Sequence, residues 1–377
     1  MTGSNQSLQP QPDVPIACHD QEARFARAFT LLRDAIDRRA FPAAALAVTF
    51  RGTFVAGQAF GRFTYDTNSP AVEADTIFDL ASVTKAVATT TMAMLLYQRG
   101  LLDLQAPVVE SLPEFLSGAP PARQSERLAV TVRMLLAHCS GLPAYIKLFQ
   151  SAPTREKLFE AACATPLVAP PGSIADYSDI GFILLGRILE RVAHESLDAF
   201  CSREVFAPLN MRQAMFNPPL GLRVRIPPTE DDGTFRRRIV AGEVNDENAF
   251  VMGGVSGHAG LFAPAIDVAR FAECMLRGGA PILQPATVAL FTRRETSPPG
   301  TSRALGWDTP SPPSSSGKHF SQRSFGHLGY TGTSLWIDPE RELSVTLLTN
   351  RTWPDRSSQQ IKIVRPLIHD AIVEALV

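Results

Sequence analysis

The chain has 377 residues, of which 45% are apolar and 19% charged, enough material for a large core, so disorder is excluded as a description of the whole. Lysine and arginine number 36 against 37 aspartates and glutamates, a net charge of −1 that leaves no electrostatic footprint for nucleic acid or an anionic membrane. Cys18, Cys139, Cys163, Cys201 and Cys274 are odd in number, widely spaced and without a CxxC pair, which speaks against a disulfide framework or a zinc knuckle.

Residues 1–20 read as a flexible polar leader with Pro10, Pro12 and Pro15 and no apolar segment of a secretory signal. No apolar run reaches the roughly 18–20 residues needed to span a bilayer, so the expected location is the cytoplasm. Phe25, Ala28, Phe29, Leu32, Ala35 and Ile36 recur at steps of three and four, which predicts a helix over 21–38. Ala43 to Phe50 reads as a strand, Arg51-Gly52 as a turn and Thr53 to Phe60 as the returning strand. From 82 to 285 the pattern is mostly helical: a long helix from Ser82 to Arg99 stopped by Gly100, and shorter ones near 131–138, 154–164, 179–194 and 265–277. Residues 216–250 are rich in loops, and 297–324, rich in Pro, Ser and Gly, reads as a mobile loop. Strands Thr333 to Ile337 and Leu343 to Leu348 follow, then a helix over 359–376 with Pro366 as a kink.

This order predicts an α+β (mixed α/β) fold. The ends of the chain, 21–81 and 286–377, form one antiparallel sheet flanked by the terminal helices, and 82–285 form an inserted helical lobe. A cleft between two lobes is a natural place for a site.

Three segments carry chemistry. Ser82-Val83-Thr84-Lys85 opens the long helix and puts a hydroxyl and an amine on one face, three residues apart. A serine hydroxyl is a weak nucleophile that a partly desolvated lysine activates by taking its proton. The helix start also places backbone N–H groups near a developing oxyanion. Tyr177-Ser178-Asp179 precedes an apolar helix. Tyr177 beside a lysine could relay a proton to a leaving group, and Asp179 could orient Lys85 or bind substrate; alternatively Ser178 or Asp179 caps the helix and Tyr177 packs beneath it. Gly326-His327-Leu328-Gly329-Tyr330-Thr331-Gly332-Thr333 offers close approach to a ligand backbone, with His327 a donor to a carboxylate or oxyanion; the alternative is a glycine-rich turn with a surface histidine. The remaining histidines and cysteines show no metal-ligand spacing, and His138 and Cys139 read as structural.

In this order the three segments resemble the serine β-lactamase and penicillin-binding-protein superfamily, in its branch of class C β-lactamases, D-alanyl-D-alanine carboxypeptidases and esterases. Leu135 to Pro143 (LLAHCSGLP) and Ser334 to Pro339 (SLWIDP) are similar to further segments of that branch, so the resemblance runs from about 20 to 375. Gly242 to Ala249 (GEVNDENA) and Gly253 to Phe262 (GGVSGHAGLF) look like stretches of penicillin-binding protein 4B-like proteins and of cytoplasmic N-acetylmuramoyl-L-alanine amidases, with Asn245 where that group usually has histidine. The resemblance implies a β-lactamase/transpeptidase-like fold and a serine hydrolase acting through an acyl-enzyme, without metal or organic cofactor. Ser82 would be the acylated nucleophile, Lys85 its general base and Tyr177 an assistant in acylation or deacylation. The N–H groups of Ser82 and Tyr330 would form the oxyanion hole. His327 and Gly329 would line the substrate edge, and Asp179, Asp246 and His258 are candidates for substrate contacts.

His327 and Leu328 stand where lactamases typically carry Lys and Thr or Ser, and Asp179 stands where Asn is common. Losing that ammonium and hydroxyl weakens recognition of a β-lactam or D-Ala carboxylate and favours esterase-like or other amide hydrolysis, with small esters, D-amino-acid peptides and muropeptides as the candidate substrates. The rivals are a β-lactamase proper and a non-catalytic member of the fold that binds a ligand or assembles with partners.

Overall fold

A computed structural model describes residues 14–117 and 124–376. Most of the expected leader, residues 1–13, lies outside the described residues. The rest of that leader is not free as expected: residues 15–17 lie against the sheet, with Ala17 N–H donating to Phe54 O and Phe54 N–H to Pro15 O, each at 2.8 Å.

The strands are β1 (Ala43–Phe50), β2 (Thr53–Gly61), β3 (Phe78–Asp79), β4 (Met215–Phe216), β5 (Glu230–Asp232), β6 (Arg238–Val240), β7 (Leu261–Ala263), β8 (Phe325–Leu328), β9 (Ser334–Asp338) and β10 (Leu343–Thr349). The main sheet has the order β2-β1-β10-β9-β8 and is antiparallel throughout, so the first and last parts of the chain meet in its middle, where Ala44 pairs with Thr349.

Both faces of this sheet are covered, which explains why β1 reads as a continuous apolar run rather than an alternating one. Ala44, Leu46 and Val48 point to the core shared with the terminal helices Ala26–Asp37 and Ile361–Leu376, where Phe29, Leu32, Ile368 and Ile372 pack. Ala43, Ala45 and Ala47 point the other way, into the larger core with Val268, Phe271 and Ala272 of the helix Ala265–Leu276. The small side chains on that face let the helix sit close.

The expected first helix is broken at Phe25 into Gln21–Arg24 and Ala26–Asp37. The expected helix from Ser82 is continuous to Gln98 but wound in two ways: Lys85–Thr90 is a π-helical segment and Thr91–Gln98 is α-helical. A wide turn of that kind is common at functional sites, because it re-aims one side chain without ending the helix. The segment 297–324, read as mobile from its composition, is pinned instead. Ala304, Leu305 and Trp307 are buried in the larger core, and Asp308 and Gly326 exchange hydrogen bonds of 2.8 and 2.9 Å beside β8. Composition registered its prolines and serines and missed the one tryptophan that anchors it.

Candidate active site

Ser82 sits at the floor of a cleft of about 620 Å³. Ala81, immediately before it, has a left-handed backbone (φ 47°) that turns the chain sharply from β3 into the helix. Buried Asp79 holds this turn: one carboxylate oxygen accepts the Ala81 N–H at 2.8 Å and the other accepts the Asn245 N–H at 2.6 Å. Burial pushes the Asp79 carboxyl up to about 6 against those two amides.

Lys85 is fully buried, and its Nζ donates to Ser82 Oγ at 2.9 Å and to the carbonyl of His258 at 2.9 Å. It also lies 2.6 Å from Asp179 Oδ1. Burial alone would lower the ammonium's pKa, but the Asp179 carboxylate, with Tyr177, outweighs burial and raises it. The resting lysine is therefore charged, a refinement of the expectation that desolvation would leave it basic.

Tyr177 presents its buried hydroxyl toward Ser82 and Lys85 without an aligned hydrogen bond in this resting arrangement, and the Lys85 Nζ stands 4.9 Å from its ring centre. Burial raises the phenol's pKa, with Lys85 opposing. Its ring is held by His138, 4.6 Å away between centroids, whose Nδ1 accepts the Ser178 N–H at 3.0 Å. His138 is thus the structural residue the sequence suggested, and it works by fixing the tyrosine. Ser178 Oγ accepts the Gly181 N–H and caps the helix Asp179–Ala193, which is the capping reading of this motif, while Asp179 and Tyr177 lie against Lys85.

The loop 329–333 is stapled to the turn that leads into Ser82. Thr331 Oγ1 donates to Asp79 O and Thr333 Oγ1 to Leu80 O, both at 2.9 Å. Gly329 is required here, since a Cβ would overlap Thr333 Oγ1 and the Leu80 carbonyl. Among the described residues no backbone carbonyl is shown accepting the N–H of Ser82 or of Tyr330. His327 lines the cleft, but not as the donor expected from its type. Its Nδ1 lies 2.8 Å from the Leu328 carbonyl and so carries the proton, while Nε2 is buried without a partner. Burial, and then nearby Lys85, push its pKa down to about 3. His327 is neutral and offers the cleft a hydrogen-bond acceptor.

Asp246 and His258 line the cleft but spend their polar atoms on each other. His258 Nε2 lies 2.7 Å from Asp246 Oδ1, which also accepts the Ala249 N–H as the cap of the helix Glu247–Val251. His258 Nδ1 lies 2.8 Å from Ser256 Oγ. This chain of hydrogen bonds places the His258 carbonyl on Lys85, so the pair positions the lysine. The sequence reading named Asp246 and His258 singly, and no spacing rule joined them to each other or to Ser256. Ser256 is almost completely buried, its hydroxyl 3.2 Å from Met252 Sδ. Asn245 turns its amide to Thr229 and Glu230, both at 3.2 Å. The sequence reading missed the arginines of the cleft, Arg303, Arg351, Arg356 and Arg365, which no motif or periodicity marks.

Residues 28–367 match the family model described as Beta-lactamase. The chain is 33% identical over 344 residues to an N-acetylmuramyl-L-alanine amidase of Bacillus subtilis (strain 168), covering 82% of this chain and 77% of that protein. It is 32% identical over 306 residues to a putative D-alanyl-D-alanine carboxypeptidase of Salmonella agona (strain SL483), covering 74% and 70%. Among solved structures it is similar in fold to EstCE1, a hydrolase with promiscuous acyltransferase activity, with a TM-score of 0.76, 23% identity and coverage of 93% and 99%. The serine and lysine at the foot of the cleft, the antiparallel sheet beside it and these likenesses agree: the chain belongs to the β-lactamase family of serine hydrolases.

Proposed function

We infer that the protein hydrolyses an amide or ester of a peptidoglycan-derived fragment through an acyl-enzyme on Ser82. The observation that carries this reading is the 2.9 Å contact of Lys85 Nζ with Ser82 Oγ at the floor of an open cleft. The amidase and carboxypeptidase relatives support the substrate class. The cysteines stand unpaired, which suits a reducing compartment such as the cytoplasm.

Lys85 becomes basic by losing its proton to solvent as pH rises, a loss that the Asp179 carboxylate 2.6 Å away opposes. It then takes the Ser82 proton as Oγ attacks the carbonyl carbon, and the N–H groups of Ser82 and Tyr330 receive the oxyanion. Tyr177 hands a proton to the leaving nitrogen or oxygen and is refilled from Lys85. Water then enters by the same relay and releases the acyl group. His327 Nε2, an acceptor, fits an N–H or O–H of the substrate, as an amide or a sugar hydroxyl supplies.

Intact-mass measurement after mixing with a fluorophosphonate and with p-nitrophenyl acetate tests the nucleophile. One adduct per chain is expected with the wild type and none with Ser82→Ala. An adduct that persists in Ser82→Ala would remove Ser82 from this role. Release of alanine-containing peptide from an N-acetylmuramoyl-L-alanyl peptide tests the substrate class.

A further inference from the structure

Ser82 and Lys85 share one helix, but the groups that hold Lys85 come from elsewhere in the chain, and the site needs the two in register. Asp79 joins them. It lies in β3, three residues before Ser82, and is 2% exposed. Its carboxylate takes two amides: the Ala81 N–H of its own turn, and the Asn245 N–H from 166 residues along the chain.

The first contact bears on the nucleophile. Ala81 is held at φ 47°, a conformation that a residue other than glycine keeps only where its surroundings enforce it. The second contact bears on the base. Asn245 precedes Asp246, the partner of His258, whose carbonyl receives Lys85 Nζ. Arg236 grips the same segment by its carbonyls, with Nη2 donating to Val244 O at 2.8 Å and to Asn245 O at 3.1 Å. The backbone of Asp79 pairs with Phe262 of β7, just after His258, and its carbonyl accepts Thr331 Oγ1 from the loop that carries Tyr330. The path from Ser82 through Asp79, Asn245, Asp246, His258 and Lys85 back to Ser82 is a closed ring of covalent and hydrogen bonds.

The position needs two acceptor oxygens. An asparagine has one and turns an NH2 donor on the other amide, and a protonated carboxyl turns a hydroxyl there. A buried amide that faces a donor has lost its partner and is driven to move. A shift of about 1 Å in a reacting group costs on the order of a hundredfold in rate.

We propose that Asp79 is a positioning residue of the reaction: its ionised carboxylate sets the Ser82 turn and the segment that holds Lys85 at a fixed separation, and its loss uncouples them. The inference rests on the serine hydrolase reading above. Burial pushes the Asp79 carboxyl up to about 6; of the charged groups that face it, Asp246 raises the value and Arg236 lowers it. β7 and the loop 329–333 present Phe262 and the Thr331 hydroxyl, neither of which titrates in this range. The tie is therefore intact above about pH 6 and lost as pH falls through that value. His327, at about 3, and His138, well below its ordinary value, stay neutral around pH 6.

Fluorophosphonate labelling, followed by intact mass from about pH 5 to 8, reads the reactivity of Ser82 without a specific substrate. Urea unfolding of the same samples gives the folded fraction. The logarithm of the wild-type rate is expected to climb steadily above about pH 6, as Lys85 progressively deprotonates, and to fall more steeply below it. Asp79→Asn is expected to label at least tenfold more slowly at neutral pH, without the added steepness. With p-nitrophenyl acetate its kcat falls in parallel while KM stays within about twofold. Asp79→Glu keeps two acceptor oxygens on a longer arm. It is expected to label faster than Asp79→Asn and to retain the steep limb at a displaced pH, and it carries the test alone if Asp79→Asn does not fold. Labelling slowed only in proportion to the unfolded fraction, or a steep limb unmoved in the variants, would overturn the proposal while wild-type labelling at Ser82 leaves the hydrolase reading standing. A wild type that is not labelled, or Ser82→Ala that still is, removes the serine reading and this proposal with it.

Discussion

Asp179 sets the protonation of the site. An asparagine there could orient Lys85 but could not raise its pKa. In Asp179→Asn the opposing carboxylate is gone, burial dominates, and the Lys85 pKa falls. Since Lys85 works as a base when deprotonated, the acidic limb of kcat/KM against pH is expected to move to lower pH by one unit or more. The variant also loses the contact that fixes Lys85 beside Ser82, so the maximal kcat is expected to drop about tenfold or more. A limb that does not move would show that Lys85 is not the group titrating in it. Ser82, Lys85 and Tyr177 were legible at this scale because their motif spacing is local or near a helix start. The direction of His327 was not. Which nitrogen carries the proton depends on a carbonyl one residue away in a particular backbone conformation, and no residue type announces that.

At the scale of elements, the site depends on how closely the helix Asp179–Ala193 approaches the loop that carries His258. Gly186 and Gly257 meet at that crossing, where a Cβ on Gly257 would overlap the Phe182 carbonyl and crowd Gly186. The helix supplies Asp179 and the loop supplies the His258 carbonyl, so Lys85 is held from two sides only if the backbones touch. Gly257→Ala is expected to destabilise the protein by about 2–4 kcal/mol, as overpacking against backbone does, and to lower kcat in the surviving folded fraction. Denaturant unfolding and kinetics on the same samples check this; unchanged stability would mean that the crossing is looser than described. The sequence reading used this glycine stretch for its family resemblance. It is a packing device that serves the site, but only the approach of a helix some 70 residues away in sequence shows what it packs against.

Over the whole molecule, several buried histidines set the response to acid. Burial pushes His327 and His369 down to about 3, helped by Lys85 and Arg365 respectively, and lowers His138 well below its ordinary value, helped by Arg303. Each remains neutral when folded and takes up a proton on unfolding below its ordinary value of 6.5, so each contributes stability above that pH that is lost as pH falls toward 3. Asp79 acts in the opposite sense: its folded value of about 6 against an ordinary 3.8 adds stability as pH falls through that interval. The histidines outnumber it, and stability is expected to fall steadily between about pH 6 and 4. His369→Leu, one turn beyond Arg365 in the sheet-side core beside Phe320, is expected to reduce that slope by about 1.4 kcal/mol per pH unit. Urea unfolding at pH 6.5, 5.5 and 4.5 measures it, and an unaltered slope in the variant would show that His369 is not held neutral.

The hairpin, the late strand pair, the inserted helices and the order of the motifs were settled by local pattern, because apolar periodicity and turn residues act over a few positions and report themselves there. The join of β1 to β10, the pinning of 297–324 by Trp307, the Asp246–His258–Ser256 chain and the tie from Asp79 to Asn245 depend on contacts between segments that local pattern does not relate. A hydrogen bond is a property of neighbours in space. Nothing in the local pattern around Asp79 marks the amide 166 residues away that its carboxylate holds, and only the tertiary structure decided that pairing.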